Sequence, residues 1–439
     1  MLPISHDLLN DALSRMGVGD DITRATIRQI VALSSQLEKE AGESFLHLEL
    51  GNPGLPATEV GVEEEVRRLR EGIANRYPNI AGIPEIKKGG SEFLKAFLDI
   101  DVPGRYVVPT VGSMQGTFTM MLLLSRRDPA RDTVLYIHPG FHPQLMQSKV
   151  IGLKHETFDI YNYRGKALEA KLEEILSKGN VTALLYSNPN NPAWTNFTEE
   201  ELEIIGRMAT RYDVVVMEDM AYLGMDFRRD YSVPYKAPFI PTVARYTDNY
   251  VIFLSGSKIF SYAGQRIALA CVGPRLGERA YPDMVNFFGM PTFIDCFVFG
   301  VLYCVSSGTA HSAQFAMAAM LQAAVNGELD FIGASREYGR RAEQAKRVFA
   351  ANGFHIVYER DADNRPISDG FFFTVGYDHM DSRTLQGGLL RHGIATIALS
   401  STGSLQDGVR ICVSMLSDDE HFDLLDRRLK AFTREYPLM

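Results

Sequence analysis

The sequence holds four cysteines, one tryptophan and no long apolar run in its 439 residues. Cys271, Cys296, Cys304 and Cys412 form no CxxC pair, which excludes a zinc ribbon, a dithiol redox motif and a disulfide scaffold. The apolar flanks of Cys271 (Ala270, Val272) and Cys412 (Ile411, Val413) suit buried free thiols in a reducing compartment. The longest candidate membrane span, Phe297 to Val305, is half the ~18 residues a spanning helix needs. Met1-Leu-Pro-Ile-Ser-His-Asp7 has neither a basic head nor an apolar signal run. The expectation is therefore a cytoplasmic protein without a membrane partner. Basic residues are in deficit: Lys+Arg total 45 against Asp+Glu 54, a formal net charge of −9. Such a chain is a poor general binder of nucleic acid or anionic lipid, and neither nucleic acid nor a metal is expected as a partner. Internal repeats and low-complexity tracts are missing too.

What is present is an ordinary folded-chain composition, 46% hydrophobic and 23% charged. At about 150 residues per domain the length suggests two to three domains. Residues 5–40 read as amphipathic helix interrupted by Gly17-Val-Gly19. From about residue 105 short β-rich runs alternate with helical ones: 106–108, 134–137, 181–186, 214–216, 251–254 and 267–272. These runs are nearly all apolar, as in strands buried on both faces of a mostly parallel sheet. Thr198-Glu-Glu-Glu201 is a capping box opening one of the intervening helices. The pattern predicts an α/β fold with ligands at the carboxyl ends of the strands. Past residue 310 a long helix to about Asn352 precedes strands at 370–375 and 409–415, as in a smaller α+β domain. The expected division is a large domain at 63–310 and a small one from 1–62 plus 311–439.

Four segments carry candidate chemistry. Ser255-Gly-Ser257-Lys258, with Arg266 eight residues on, directly follows an apolar strand. A lysine there must shed water from its charge. The set could hold a phosphate beside a nucleophilic amine, or be a surface lysine in a Ser/Gly loop. Gly112-Ser113-Met114 runs from strand into helix and could present amides to an anion, or be a simple turn. Asp219, ending an apolar strand with Tyr222 three residues later, could pair a ring N–H⁺ and a ring hydroxyl, or cap a helix. Asn188-Pro189-Asn190-Asn191-Pro192 marks a turn that could fix an amide side chain over a strand end.

Taken in order, Gly112-Ser113, His138-Pro-Gly-Phe141, Asn191-Pro192, Asp219…Tyr222, Ser255…Lys258, Arg266 and Arg410 resemble the fold-type I pyridoxal-phosphate enzymes, specifically the class I/II aminotransferase family. The resemblance runs from about Leu48 to Ser414. It implies pyridoxal 5′-phosphate as cofactor and the fold type I transferase architecture. It implies a ping-pong transfer of an amino group between an amino acid and a 2-oxo acid. Lys258 matches the Schiff-base lysine, and Asp219 the carboxylate beside the pyridine nitrogen. Asn191 and Tyr222 match the groups on the ring hydroxyl, and Phe141 the aromatic stacked on the ring. Gly112, Ser113, Met114, Ser255, Ser257 and Arg266 match the phosphate site. Arg410 matches the arginine that forks onto the substrate carboxylate, and Asn191 also contacts substrate there. Gly51, in Gly51-Asn-Pro-Gly54, matches a mobile segment over substrate. Tyr77 matches a tyrosine reaching the phosphate of a neighbouring subunit, which implies a homodimer with shared sites.

The sequence departs from the family pattern in places. Ala193-Trp194 stands where Thr-Gly is usual, which puts the tryptophan near the expected substrate entrance. Ile86-Lys87-Lys88 replaces a usual Leu-Arg. The same residues serve carbon–sulfur β-lyases of the same fold, so β-elimination remains open beside transamination. A non-catalytic cofactor-binding sensor is the alternative from another class, but such regulators carry a DNA-binding domain ahead of the fold. The donor and acceptor are not readable from these residues.

Overall fold

A computed structural model describes residues 2–19 and 21–438. Helices His6–Arg15 and Ile27–Ala41 lead into a short strand, β1 (Leu46–His47). Ser5 caps the first helix and a Thr26/Gln29 capping box opens the second. The glycine interruption falls between them, as the sequence suggests.

A seven-stranded sheet follows, made of β2 (Val107–Thr110), β3 (Thr133–His138), β4 (Lys154–Asp159), β5 (Val181–Ser187), β6 (Val215–Asp219), β7 (Tyr250–Ser255) and β8 (Ala268–Val272). Its spatial order is β2-β8-β7-β6-β5-β3-β4. β8 pairs antiparallel with β2 and β7, and every other pairing is parallel. The central strands are buried along their whole length, because helices cover both faces and Val, Ile and Leu find apolar contacts on each. β4 is absent from the sequence reading. As the edge strand it exposes Lys154, His155 and Thr157, so it lacks the apolar signature of its neighbours.

The C-terminal part is built differently. β9 (Phe354–Ile356), β10 (Phe372–Tyr377), β12 (Ile397–Ala398) and β13 (Val409–Cys412) form an antiparallel sheet in the order β12-β13-β10-β9. Between them β11 (Ile394–Ala395) pairs in parallel with β1, which ties the N-terminal segment to this sheet. The expected single helix from Ala310 to about Asn352 is two, His311–Val325 and Phe331–Ala351. Gly327 turns the chain at φ 74°, and Asp330 caps the second helix by accepting from the Gly333 N–H at 2.7 Å. The first of these helices packs against Glu59–Arg70 and Pro84–Leu98, so it lies with the large sheet although it follows the boundary expected at residue 310.

Two expectations need correcting. The helical stretch Pro282–Ser306 is 25 residues long and contains an 18-residue window with a mean hydropathy of 1.7, so by length and composition alone it could cross a membrane. The sequence reading counted only the unbroken apolar run; the helix adds apolar residues on either side of breaks. Phe293, Phe297, Val301 and Leu302 of this stretch are buried in the large core, while Phe299, Tyr303 and Val305 face outward. All four cysteines are free, but Cys304 is exposed on that outward face.

The strand register sets the site. Ser187 pairs with Asp219, and Asp219 with Phe253, so β5, β6 and β7 end side by side. Their exits carry Asn191, Asp219 and Lys258, and β2 exits at the same end into Gly112. This is the carboxyl edge where open α/β sheets bind ligands.

Candidate active site

Lys258 lies on a single helical turn, Gly256–Ile259, directly after β7. Ser255 opens the turn and accepts from the Ser257 N–H at 3.2 Å. The lysine Nζ donates to the Gly51 carbonyl and sits 5.2 Å from the centre of the Phe371 ring. Burial pushes its amine down to about 8, and the positive charges of Arg410 and Arg266 push the same way. The surface-loop reading of this lysine is therefore excluded.

Asp219 ends β6 and is buried. It accepts from the Gln144 side-chain amide at 2.7 Å and the Ala221 N–H at 3.2 Å. Burial pushes its carboxyl up to about 6 against those two bonds. Among the described residues no Lys, Arg or His forms an ion pair with it. A buried carboxylate without a counter-charge is costly, and a protonated ring nitrogen supplies the missing charge. Gln144 had no sequence signal. It sits on the helix His142–Ile151, whose N-cap is Phe141, and only the fold brings it under Asp219. Phe141 is half-buried at that helix start.

Gly112 opens the helix Gly112–Leu124 at φ 67°. A Cβ there would lie 2.6 Å from a guanidinium nitrogen of Arg266, so glycine is required both by conformation and by space. Arg266 has one nitrogen on the Ala263 carbonyl at 2.8 Å and is otherwise exposed. The Ser113 hydroxyl is buried and has no partner. Free helix-end amides, an unpartnered hydroxyl and an arginine on one glycine make a cradle for a phosphate. Met114 follows in the same turn, and Ser257 is half-buried beside Lys258. These residues fit pyridoxal 5′-phosphate: an amine, a carboxylate and an anion cradle share one end of the sheet.

Arg410 lies in β13, buried, with its guanidinium carbon 4.6 Å from the centre of the Phe372 ring. It donates to the Asn191 side-chain oxygen at 3.3 Å and to the Glu49 carbonyl at 2.5 Å. Its Nε has no partner, and it forms no ion pair among the described residues. Asn191 is anchored by its N–H on the Ser187 hydroxyl at 3.0 Å. Glu49 and the phenylalanines of 371–372 escaped the sequence reading, since nothing local marks them.

Tyr222 packs against Phe371, Phe372 and Trp194 at centroid distances of 5.4, 5.3 and 5.5 Å. Burial pushes its hydroxyl well up. Trp194 is not at an entrance, as the sequence suggested. It is 0% exposed, at φ 61°, with its indole N–H on the Ser368 hydroxyl at 3.0 Å. The left-handed backbone costs a bulky residue about 1–2 kcal/mol. Tyr77 is not brought to the site within one chain; it is 95% exposed.

Comparison with known proteins bears on the fold and the family. The chain is 26% identical to an aspartate aminotransferase of Pyrococcus horikoshii over 247 residues, 56% of this chain and 59% of that protein. It spans about three fifths of the length of the curated relatives it matches. The aspartate aminotransferase of Thermus thermophilus with maleate superposes with a TM-score of 0.72 at 20% identity, covering 93% of this chain and 96% of that one. An Escherichia coli protein whose structure identifies a methionine aminotransferase function gives 0.74 at 16% identity, covering 92% and 97%. These likenesses establish the fold expected from the sequence. The family described as aminotransferase class I and II matches residues 44–427, and the chain belongs to that family.

Proposed function

We propose that this chain is a pyridoxal 5′-phosphate-dependent aminotransferase, moving an amino group from an amino acid to a 2-oxo acid in two half-reactions. One juxtaposition carries the reading. A half-buried lysine and a buried carboxylate without a cation share one edge of the large sheet, and a buried arginine with an open donor reaches that edge from β13 through Asn191.

When bound, the coenzyme supplies a carbonyl for capture by an amine and a cationic ring that draws electrons from the substrate α-carbon. The residues do the rest. Lys258, with its depressed amine, is neutral often enough near neutral pH to act as nucleophile, and then to move a proton at the α-carbon. Asp219 would keep a ring nitrogen protonated, and Gln144 keeps Asp219 in place. Asn191 and Tyr222 would hold the ring hydroxyl, and Phe141 would cover the ring. Gly112, Ser113, Met114, Ser255, Ser257 and Arg266 would hold the phosphate. Arg410 binds the substrate carboxylate with Asn191 beside it, and Gly51, now on Lys258, must give way.

The active form is proposed to be a homodimer. Tyr77 has nothing to do in one chain, and its exposure lets it reach a partner's phosphate site. The exposed Phe299, Tyr303 and Val305 give a second copy an apolar surface to cover. Two domains, with the helix His311–Val325 kept on the large one, and a cytoplasmic location suited to four free cysteines, complete the proposal.

The test is to load the protein with coenzyme and add single amino acids without an acceptor. A donor bleaches the visible band, and a 2-oxo acid restores it. Lys258→Ala abolishes both. Turnover retained in Lys258→Ala would refute the assignment. Pyruvate release without an acceptor would move it to β-elimination.

A further inference from the structure

The tryptophan is the least expected residue in the site. Trp194 occupies a left-handed backbone position that suits glycine. Across from it, Gly370 leaves no room for a side chain: a Cβ there would overlap the indole ring. The indole N–H is tied to Ser368, in the same segment as Gly370. Two residues later, the Asn196 N–H donates to Asp361 at 2.8 Å. The loop that carries Asn191 is thus pinned at two points to the segment 361–370.

The tryptophan edge then meets Tyr222 at 71°. Among the described residues no group hydrogen-bonds the Tyr222 hydroxyl. Its ring is held only by aromatic contacts, and hydrogen bonds do not fix its direction. Phe371 and Phe372 press on it from the approach to β10 and from β10 itself; Trp194 presses from the Asn191 loop. A residue that only filled space would need neither a left-handed backbone nor a facing glycine.

We propose that Trp194 is a positioning residue for Tyr222. Its edge holds the phenol so that the hydroxyl faces the coenzyme, and it couples Tyr222 to the loop that carries Asn191. The inference rests on the proposed role of Tyr222 at the coenzyme ring.

The experiment follows the visible absorption of the coenzyme-loaded enzyme against pH, with thermal midpoints as a folding control. Tyr222→Phe is expected to move the spectral midpoint by about one pH unit. Trp194→Gly, which removes the edge and suits the backbone, is expected to move it in the same direction by at least half as much. Trp194→Phe, which keeps an aromatic edge, is expected to restore the midpoint. Gly370→Ala displaces the indole without removing it and is expected to act like Trp194→Gly; it serves if that variant fails to fold. Because Trp194 is the sole tryptophan, the wild-type apoenzyme's indole emission should fall as coenzyme is added. A midpoint moved by Tyr222→Phe but not by Trp194→Gly or Gly370→Ala overturns the positioning role. A midpoint unmoved by Tyr222→Phe removes the role of Tyr222 and this inference with it, while the Lys258 assignment stands. Absence of any visible band in the loaded wild type overturns the coenzyme site itself.

Discussion

The backbone carbonyl of Glu49 accepts from Arg410 at 2.5 Å, while the Glu49 carboxylate is sealed inside the protein. One carboxylate oxygen takes the Ser34 hydroxyl at 3.1 Å and the His47 ring at 2.8 Å, and the other has no partner. The hydrogen bond to Glu49 pushes His47 up from its usual range, so β1 is tied through His47 to the residue whose carbonyl holds Arg410. Two residues further on, Gly51 offers its carbonyl to Lys258. The segment 47–51 therefore touches Lys258 and Arg410, and on the proposed function substrate must compete with it.

That competition makes the fork of Arg410 measurable. Lysine at this position keeps the charge but cannot bind a carboxylate through two parallel bonds. Loss of one charge-assisted bond is worth about 2 kcal/mol. Arg410→Lys should raise KM for both the amino donor and the oxo acid by ~30-fold, with kcat changed far less. A KM unaltered for both substrates would place the carboxylate elsewhere.

Asp219→Asn should act in opposite directions on the empty and the loaded protein. Burial raises the folded-state carboxyl from 3.8 to about 6. Between those values the unfolded chain has already lost its proton and the folded chain has not, so the empty protein loses stability as pH rises through that window. The loss is about 3 kcal/mol above pH 6. Asparagine removes it, so the apo variant should melt no lower than wild type at pH 8. In the loaded enzyme the variant cannot hold the ring proton, and kcat should fall by ~10²-fold. Parallel melting curves and turnover measurements check both halves.

Gly112→Ala tests the phosphate cradle. The new Cβ meets the Arg266 guanidinium at 2.6 Å, and the backbone stands at φ 67°. A side chain in that region costs about 1–2 kcal/mol, and Arg266 must move away from the anion. Coenzyme Kd should rise by roughly tenfold or more, read by spectral titration. Ser113→Ala, which removes the unpartnered hydroxyl without strain, should weaken coenzyme binding by a smaller factor.

The sequence made legible whatever was periodic or covalently local. The apolar runs became β5, β6, β7 and β8 because burial on both faces leaves no polar position to blur them. The edge strand β4 was hidden by its exposed Lys154 and His155, and Gly327 was too slight a signal to split a long helical pattern. In the site, Lys258, Asp219 and Gly112 were visible because each sits at or just past a strand end. Gln144, Glu49 and Phe372 were not, because they act through contacts between segments far apart in the chain. Trp194 was noticed for the right reason and misplaced, since its neighbours Gly370 and Ser368 are reached only in three dimensions.

The last prediction concerns the lysine itself. Its folded-state amine is pushed from 10.5 down to about 8 by burial, and only the neutral amine attacks a carbonyl. At pH 7 about one amine in ten is neutral, and at pH 9 about nine in ten. The rate of coenzyme capture by the apoenzyme should therefore climb through pH 7 to 9 and level off. A lysine with its ordinary value would keep accelerating past pH 10. Stopped-flow absorbance across that range separates the two. A rate still rising at pH 10 would mean that the amine is solvated in the empty protein.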